Sequence, residues 1–147
     1  MNIHYYSRSE KSSAKDWKFH NDPVSLAAEV DFLFIALVGG QETSQFVSKE
    51  VIQALGADGI LINISRGSTV DEEALLDALE KKHIRGAALD VFTGEPSINP
   101  RFLELDNVFM QPHQGSGTIE TREAMAKLQR ANLSRFFANE SLITPVN

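Results

Sequence analysis

Arg66, Glu95 and His113 are the residues of this 147-residue chain whose types and placement suit chemistry. Each follows a short apolar run: Gly59–Ile64 leads into Ser65-Arg66-Gly67, Gly86–Asp90 leads through Val91-Phe92 to Glu95-Pro96, and Asn107–Met110 leads through Gln111-Pro112 to His113. A histidine can give and take a proton at physiological pH. A carboxylate beside it stabilises the imidazolium and fixes the tautomer. An arginine offers planar, paired donors to a substrate carboxylate and can polarise an adjacent carbonyl. Together the three describe a site for reducing a 2-oxo acid, given a hydride donor. Taken singly, Arg66 also fits a surface ion pair, Glu95 a solvated loop carboxylate, and His113 a capping or core histidine. On the residues alone, both kinds of reading stay open.

The elements that must position these residues follow from the pattern of the chain. Ile3–Tyr6, Phe32–Leu37, Gly59–Ile64, Gly86–Asp90 and Asn107–Met110 are brief, near-continuous apolar runs, which suits strands covered on both faces. Alternation with amphipathic stretches predicts βαβ units and a parallel sheet. Ser48 is expected to cap a helix over Lys49–Leu55 that ends at Gly56. Asp71 is expected to cap the next, with Ala74, Leu75, Ala78 and Leu79 on one face and Lys81 and Lys82 complementing its C-terminal dipole. A last helix over roughly Thr118–Asn139 carries Ala124, Met125, Leu128 and Ala131 at three-to-four spacing. The segment 92–107, with its prolines, predicts a loop with one helical turn. Ligands of an open parallel sheet bind outside the carboxyl ends of the strands, and all three candidate residues fall there.

Composition narrows the functional classes. The net charge of −6 argues against a nucleic-acid or anionic-membrane partner, which needs clustered Lys and Arg. With no cysteine, disulfides, thiolate chemistry and Cys-type zinc sites are excluded, and no metal is expected. The run "FLFIALV" is too short to span a bilayer. The first residues lack the layout of a signal peptide. The absence of cysteine points to a cytoplasmic protein. The length fits one domain, with no internal repeat or linker.

Three stretches, "LINISRGSTVDEEALLDAL", "GAALDVFTGEP" and "LDNVFMQPHQGSGTIETREAM", resemble in order and spacing the signature blocks of the D-isomer-specific 2-hydroxyacid dehydrogenases. The closest flavour is the glyoxylate/hydroxypyruvate and hydroxyphenylpyruvate reductase branch, and the resemblance covers essentially the whole chain. It implies an α/β fold, a doubly wound parallel sheet of Rossmann type. It also implies a catalytic Arg66, an acid at Glu95 and a proton-transferring His113, with Asp90 near the nicotinamide carboxamide and Ile64 lining the cofactor site. The implied substrate is a small 2-oxo acid and the implied assembly a homodimer.

After the first strand, Ser7-Arg8-Ser9 stand where NAD-preferring folds carry an acid for the ribose 2′-hydroxyl. Arg8 with two hydroxyls suits a 2′-phosphate, so NADP is expected in preference to NAD. The family usually places a proline-containing turn after the strand 32–37, whereas this chain reads Leu37-Val38-Gly39-Gly40-Gln41. Leu37 and Val38 are still expected at the cofactor. No G-x-G-x-x-G occurs in the chain. Residues 1–147 are therefore expected to form a partial nucleotide-binding domain lacking its first βα unit, with a helix and tail over 118–147 returning towards a substrate domain. Two roles follow: NADPH-dependent reduction of a 2-oxo acid in the complete enzyme, or an inactive fragment that serves only self-association or partner binding. The family strand order makes the absent first strand central. The chain as written is then expected to bind NADPH weakly or not at all. It is also expected to associate, or to hold roughly its first thirty residues away from the family position, because an apolar edge pairs readily with another chain.

Overall fold

A computed structural model describes residues 1–146; Asn147, the end of the expected tail, lies outside the described residues. The chain divides into two compact units, Met1–His113 and Gln114–Asn147, although nothing in the sequence reads as a linker between domains. The hydrophobic core is drawn entirely from the first unit.

Within that unit the apolar runs become parallel strands. β1 (His4–Tyr6) pairs with β2 (Lys18–His20), and β3 (Phe32–Ile35), β4 (Ile60–Asn63), β5 (Gly86–Leu89) and β6 (Val108–Met110) form a second sheet in that order. The strands are shorter than the apolar runs by one or two residues at their ends. β2 has no counterpart in the sequence reading because its residues sit in a polar stretch. Pairing makes it a strand: the Lys18 amide donates to Ile3 O at 3.0 Å and the Tyr5 and Phe19 rings lie 5.4 Å apart.

β3 is an edge strand, with Phe32 and Phe34 exposed and Leu33 and Ile35 buried. Among the described residues no strand joins the two sheets. A cleft of about 660 Å³ is lined by residues of both β1 and β3.

α1 (Pro23–Ala27) starts at Asp22, whose carboxylate accepts from the Ser25 amide at 2.9 Å. α2 (Lys49–Leu55) buries Val51, Ile52 and Leu55 and ends at Gly56, where φ is 75°. That left-handed position suits a residue without a Cβ. Ser48 precedes α2 as expected, but its hydroxyl bonds the Glu50 carboxylate at 2.6 Å and caps no backbone amide. α3 (Glu72–Glu80) is capped by Asp71, which accepts from the Ala74 amide at 3.1 Å, and buries Leu75, Leu76, Ala78 and Leu79. The single turn expected in the 92–107 loop is a 3-10 helix over Pro100–Glu104. Arg101 there pairs with Glu73, Asp77 and Glu80 of α3. These bonds raise the guanidinium pKa and lower that of Glu80, while Asp77 is lowered first by Lys81 and then by Arg101.

In the second unit, α4 (Ile119–Phe137) is capped by the Thr118 hydroxyl and buries none of its residues. Among the described residues, no helix is long and apolar enough to cross a membrane.

Candidate active site

Parallel registration places the ends of β3, β4, β5 and β6 along one edge. The ladder continues one residue past the strands: Ile64 N donates to Ile35 O (3.3 Å), Asp90 N to Asn63 O (3.0 Å) and Gln111 N to Leu89 O (2.8 Å). The loops bearing Arg66, Glu95 and His113 therefore leave the sheet side by side.

Arg66 is held through its backbone. Its carbonyl accepts from Asn63 Nδ2 (3.0 Å), Thr69 Oγ1 (2.7 Å) and the Thr69 amide (3.1 Å). Asn63 Oδ1 accepts from the Ser65 amide and the Ser65 hydroxyl, both at 3.0 Å, and the Ser65 and Thr69 hydroxyls lie 2.9 Å apart. Asn63, Ser65 and Thr69 are all buried, so these bonds form where an unmet polar group is costly. The Arg66 side chain is exposed, with Nη1 donating to Ser65 O at 2.6 Å. Its stem crosses Gly39, where a Cβ would meet Arg66 Cγ at 2.5 Å. The next residue, Gly67, lies against the Phe92 carbonyl and the Thr93 amide so closely that any Cβ would collide with that backbone.

The Phe92 backbone carries the next link. Its amide donates to Glu95 Oε1 at 2.7 Å, while Glu95 Oε2 meets His113 Nδ1 at 2.7 Å. The Glu95 carboxyl is held below its ordinary pKa, chiefly by the bond to His113, against a smaller opposing effect of burial. An ionised Glu95 accepts only, so Nδ1 carries the proton or the ring is doubly protonated. His113 adopts φ 51°, a left-handed conformation uncommon outside glycine though less so for histidine. Its side chain is 43% exposed, which leaves the ring reachable from solvent. Glu95 and His113 are thus in direct contact, and Arg66 joins them through Gly67 and Phe92.

Of the expected cofactor residues, Leu37, Val38, Ile64 and Asp90 follow the ends of β3, β4 and β5, whereas Ser7, Arg8 and Ser9 follow β1 of the other sheet. Asp90 is buried beside the end of β4; Ile64 is 55% exposed and Val38 87% exposed. The Val38 carbonyl accepts from Thr43 Oγ1 at 2.7 Å. Leu37 is half-buried and packs on the core. Ser7, Arg8 and Ser9 follow β1, with the Ser7 hydroxyl donating to Ser9 O at 2.5 Å and Arg8 exposed. Sequence reasoning missed Asn63, Ser65 and Thr69. The polar run interrupting an apolar strand at Asn63 is the signal that could have found them.

Residues 1–115 match the D-isomer specific 2-hydroxyacid dehydrogenase, NAD binding domain, and the chain belongs to that family of oxidoreductases. The 2-ketogluconate reductase of Gluconobacter oxydans is 44% identical over 146 residues, 99% of this chain and 47% of its own length. The glyoxylate/hydroxypyruvate reductase A HPR2 of Arabidopsis thaliana is 46% identical over 144 residues, 98% of this chain and 46% of its own. Among solved structures, a 2-hydroxyacid dehydrogenase from Ketogulonicigenium vulgare is 53% identical with a TM-score of 0.95, covering 100% of this chain and 46% of its own. An NADPH-dependent glyoxylate/hydroxypyruvate reductase from Sinorhizobium meliloti, in complex with NADP and malonate, is 39% identical with a TM-score of 0.94, covering 99% and 45%. The chain therefore spans about half the length of these relatives. Because the first of these superpositions takes in the whole chain, the expected displacement of the first residues is not found.

Proposed function

We propose that this chain is the cofactor-binding portion of an NADPH-dependent reductase that converts a small 2-oxo acid, of the glyoxylate or hydroxypyruvate type, into the D-2-hydroxy acid. The observation that carries it is the 2.7 Å contact between Glu95 and His113, at the sheet edge that also presents Arg66. Arg66 holds the substrate carboxylate through its free donors. His113 gives a proton from Nε2 to the carbonyl oxygen. Glu95 keeps Nδ1 engaged, which turns Nε2 outward and supports the imidazolium before transfer. A bound nicotinamide would supply the hydride that adds to the carbonyl carbon.

Residues after β1 and at the ends of β3, β4 and β5 suit that cofactor. Arg8, exposed after β1 between Ser7 and Ser9, suits a 2′-phosphate, with those hydroxyls as further contacts. Ile64 and Val38 offer exposed apolar surface at the ends of β4 and β3, with Leu37 behind them, and Asp90 stands within reach of a polar amide. NADPH consumption by a chain of the relatives' full length carrying this segment tests the proposal. Turnover of hydroxypyruvate or glyoxylate is expected; a chain that turns over no 2-oxo acid with NADPH refutes it.

The exposed β3 edge favours a second role for the chain on its own, as a self-associating or partner-binding module without activity. Light scattering with NADPH titration separates the two. An associating chain that binds no NADPH supports the second role, and a monodisperse monomer that binds it at micromolar concentration and reduces hydroxypyruvate excludes it.

A further inference from the structure

Away from the Glu95–His113 edge, β1, β2 and the segment after α1 bring His4, His20 and Glu29 together, with one ligand atom from each lying within 4.8 Å of the others. His20 Nε2 is 3.2 Å from His4 Nδ1, and His4 Nδ1 is 3.9 Å from Glu29 Oε2. A tetrahedral zinc ion with bonds of about 2.0–2.2 Å separates its ligand atoms by roughly 3.3–3.6 Å. The two observed spacings bracket that edge. We propose that His4, His20 and Glu29 form a site for a divalent transition ion of the zinc class, with a fourth position open to water.

The tautomer of the buried ligand is already set for this role. The Ser25 hydroxyl donates to Asp22 O at 3.0 Å, so it accepts from His20 Nδ1 at 3.3 Å. His20 Nε2 then carries the lone pair and points at His4. A metal-binding histidine whose other nitrogen donates to a fixed acceptor is the usual arrangement for orienting such a ligand. Without metal, His4 Nδ1 donates to His20 Nε2. On binding, the His4 proton moves from Nδ1 to Nε2, both imidazoles present lone pairs, and no proton need leave the protein. His20 is 6% exposed, whereas the His4 side chain is 16% and that of Glu29 46% exposed, so an ion has a route in. Lys18 pairs with the same Glu29 oxygen and holds that carboxyl below its ordinary pKa. The ion must displace Lys18, which is free to move because it is itself 55% exposed.

Calorimetric titration of the metal-free chain with Zn²⁺ tests the site, with Co²⁺ absorption reporting tetrahedral ligation. His4→Gln and Glu29→Gln change accessible positions and are checked for folding by circular dichroism. His113→Asn removes the other histidine–carboxylate pair. One Zn²⁺ per chain is expected, with affinity at least about tenfold weaker in each of the first two variants, since even outer-shell losses cost 10–100-fold. The His113→Asn chain is expected to bind as the parent does. Absence of saturable binding, binding that survives both first-named variants, or binding lost with His113→Asn would each overturn the proposal.

Discussion

Replacing Asn63 with leucine tests whether the buried polar network positions Arg66. Leucine shares the branching of asparagine but is larger, so at this buried position the change removes the hydrogen bonds and also adds bulk. The Arg66 carbonyl keeps its bonds from Thr69 Oγ1 at 2.7 Å and the Thr69 amide at 3.1 Å, and the Ser65 hydroxyl keeps Thr69 at 2.9 Å. The Ser65 amide, however, loses the Asn63 acceptor at 3.0 Å inside a buried network. An orphaned buried donor costs about 1–3 kcal/mol, and the added bulk a similar amount, so Asn63→Leu should lose more stability than either alone. Thr69→Val leaves the Asn63 contact with the Ser65 amide intact and removes only a hydroxyl, so a smaller cost of about 0.5–1.5 kcal/mol is expected. Denaturant melts of this chain, with the m-value held constant, measure both. In a chain of full family length, Asn63→Leu should raise KM for the 2-oxo acid more than it lowers NADPH affinity. An Asn63→Leu chain within about 0.3 kcal/mol of the parent, or one more stable than Thr69→Val, would refute the positioning role.

Gly67→Ala forces a Cβ into the Phe92–Thr93 backbone, so a loss of about 1–3 kcal/mol is expected in the same melts; an unchanged midpoint would show that the two loops are not in contact. Replacing Arg8 with a neutral residue should weaken NADPH far more than NADH, because the lost bond is to the 2′-phosphate; equal weakening would make Arg8 a surface residue. Glu95 has a lowered pKa in the folded chain. Its stabilising contribution is therefore present above the unfolded carboxylate value, about 4.3, and lost as pH falls through the folded value. Glu95→Gln should flatten the acid limb of stability against pH, and an unaltered limb would argue that the carboxyl titrates normally.

Much of the frame was legible because it depends on local patterns. The apolar runs ending at Leu37, Ile64, Asp90 and Met110 announce parallel strands, and the strands end within two residues of them. Asp71 and Gly56 mark helix boundaries through side-chain chemistry and a left-handed turn. Arg66, Glu95 and His113 were legible as candidates because parallel strands bring distant loops to one edge. β2 and α1 were not, since pairing with β1 and an Asp22 cap form them without an apolar run. The bonds of Asn63, Ser65 and Thr69 to Arg66 O were hidden for a related reason. They depend on how the 3-10 turn at Gly67–Thr69 folds back on its strand, which spacing does not specify. The His4, His20 and Glu29 cluster arises only once β1 and β2 have paired.

The role of His113 is open to one direct measurement: the rate of the chemical step on hydroxypyruvate, followed as NADPH loss in a single turnover, for a full-length chain and its His113→Ala variant. If His113 Nε2 supplies the proton, the rate falls by about 10²–10⁴-fold, the range for a positioned general acid, while NADPH binding is retained. A variant that reduces hydroxypyruvate at nearly the parent rate would remove His113, and with it the contact to Glu95, from the mechanism.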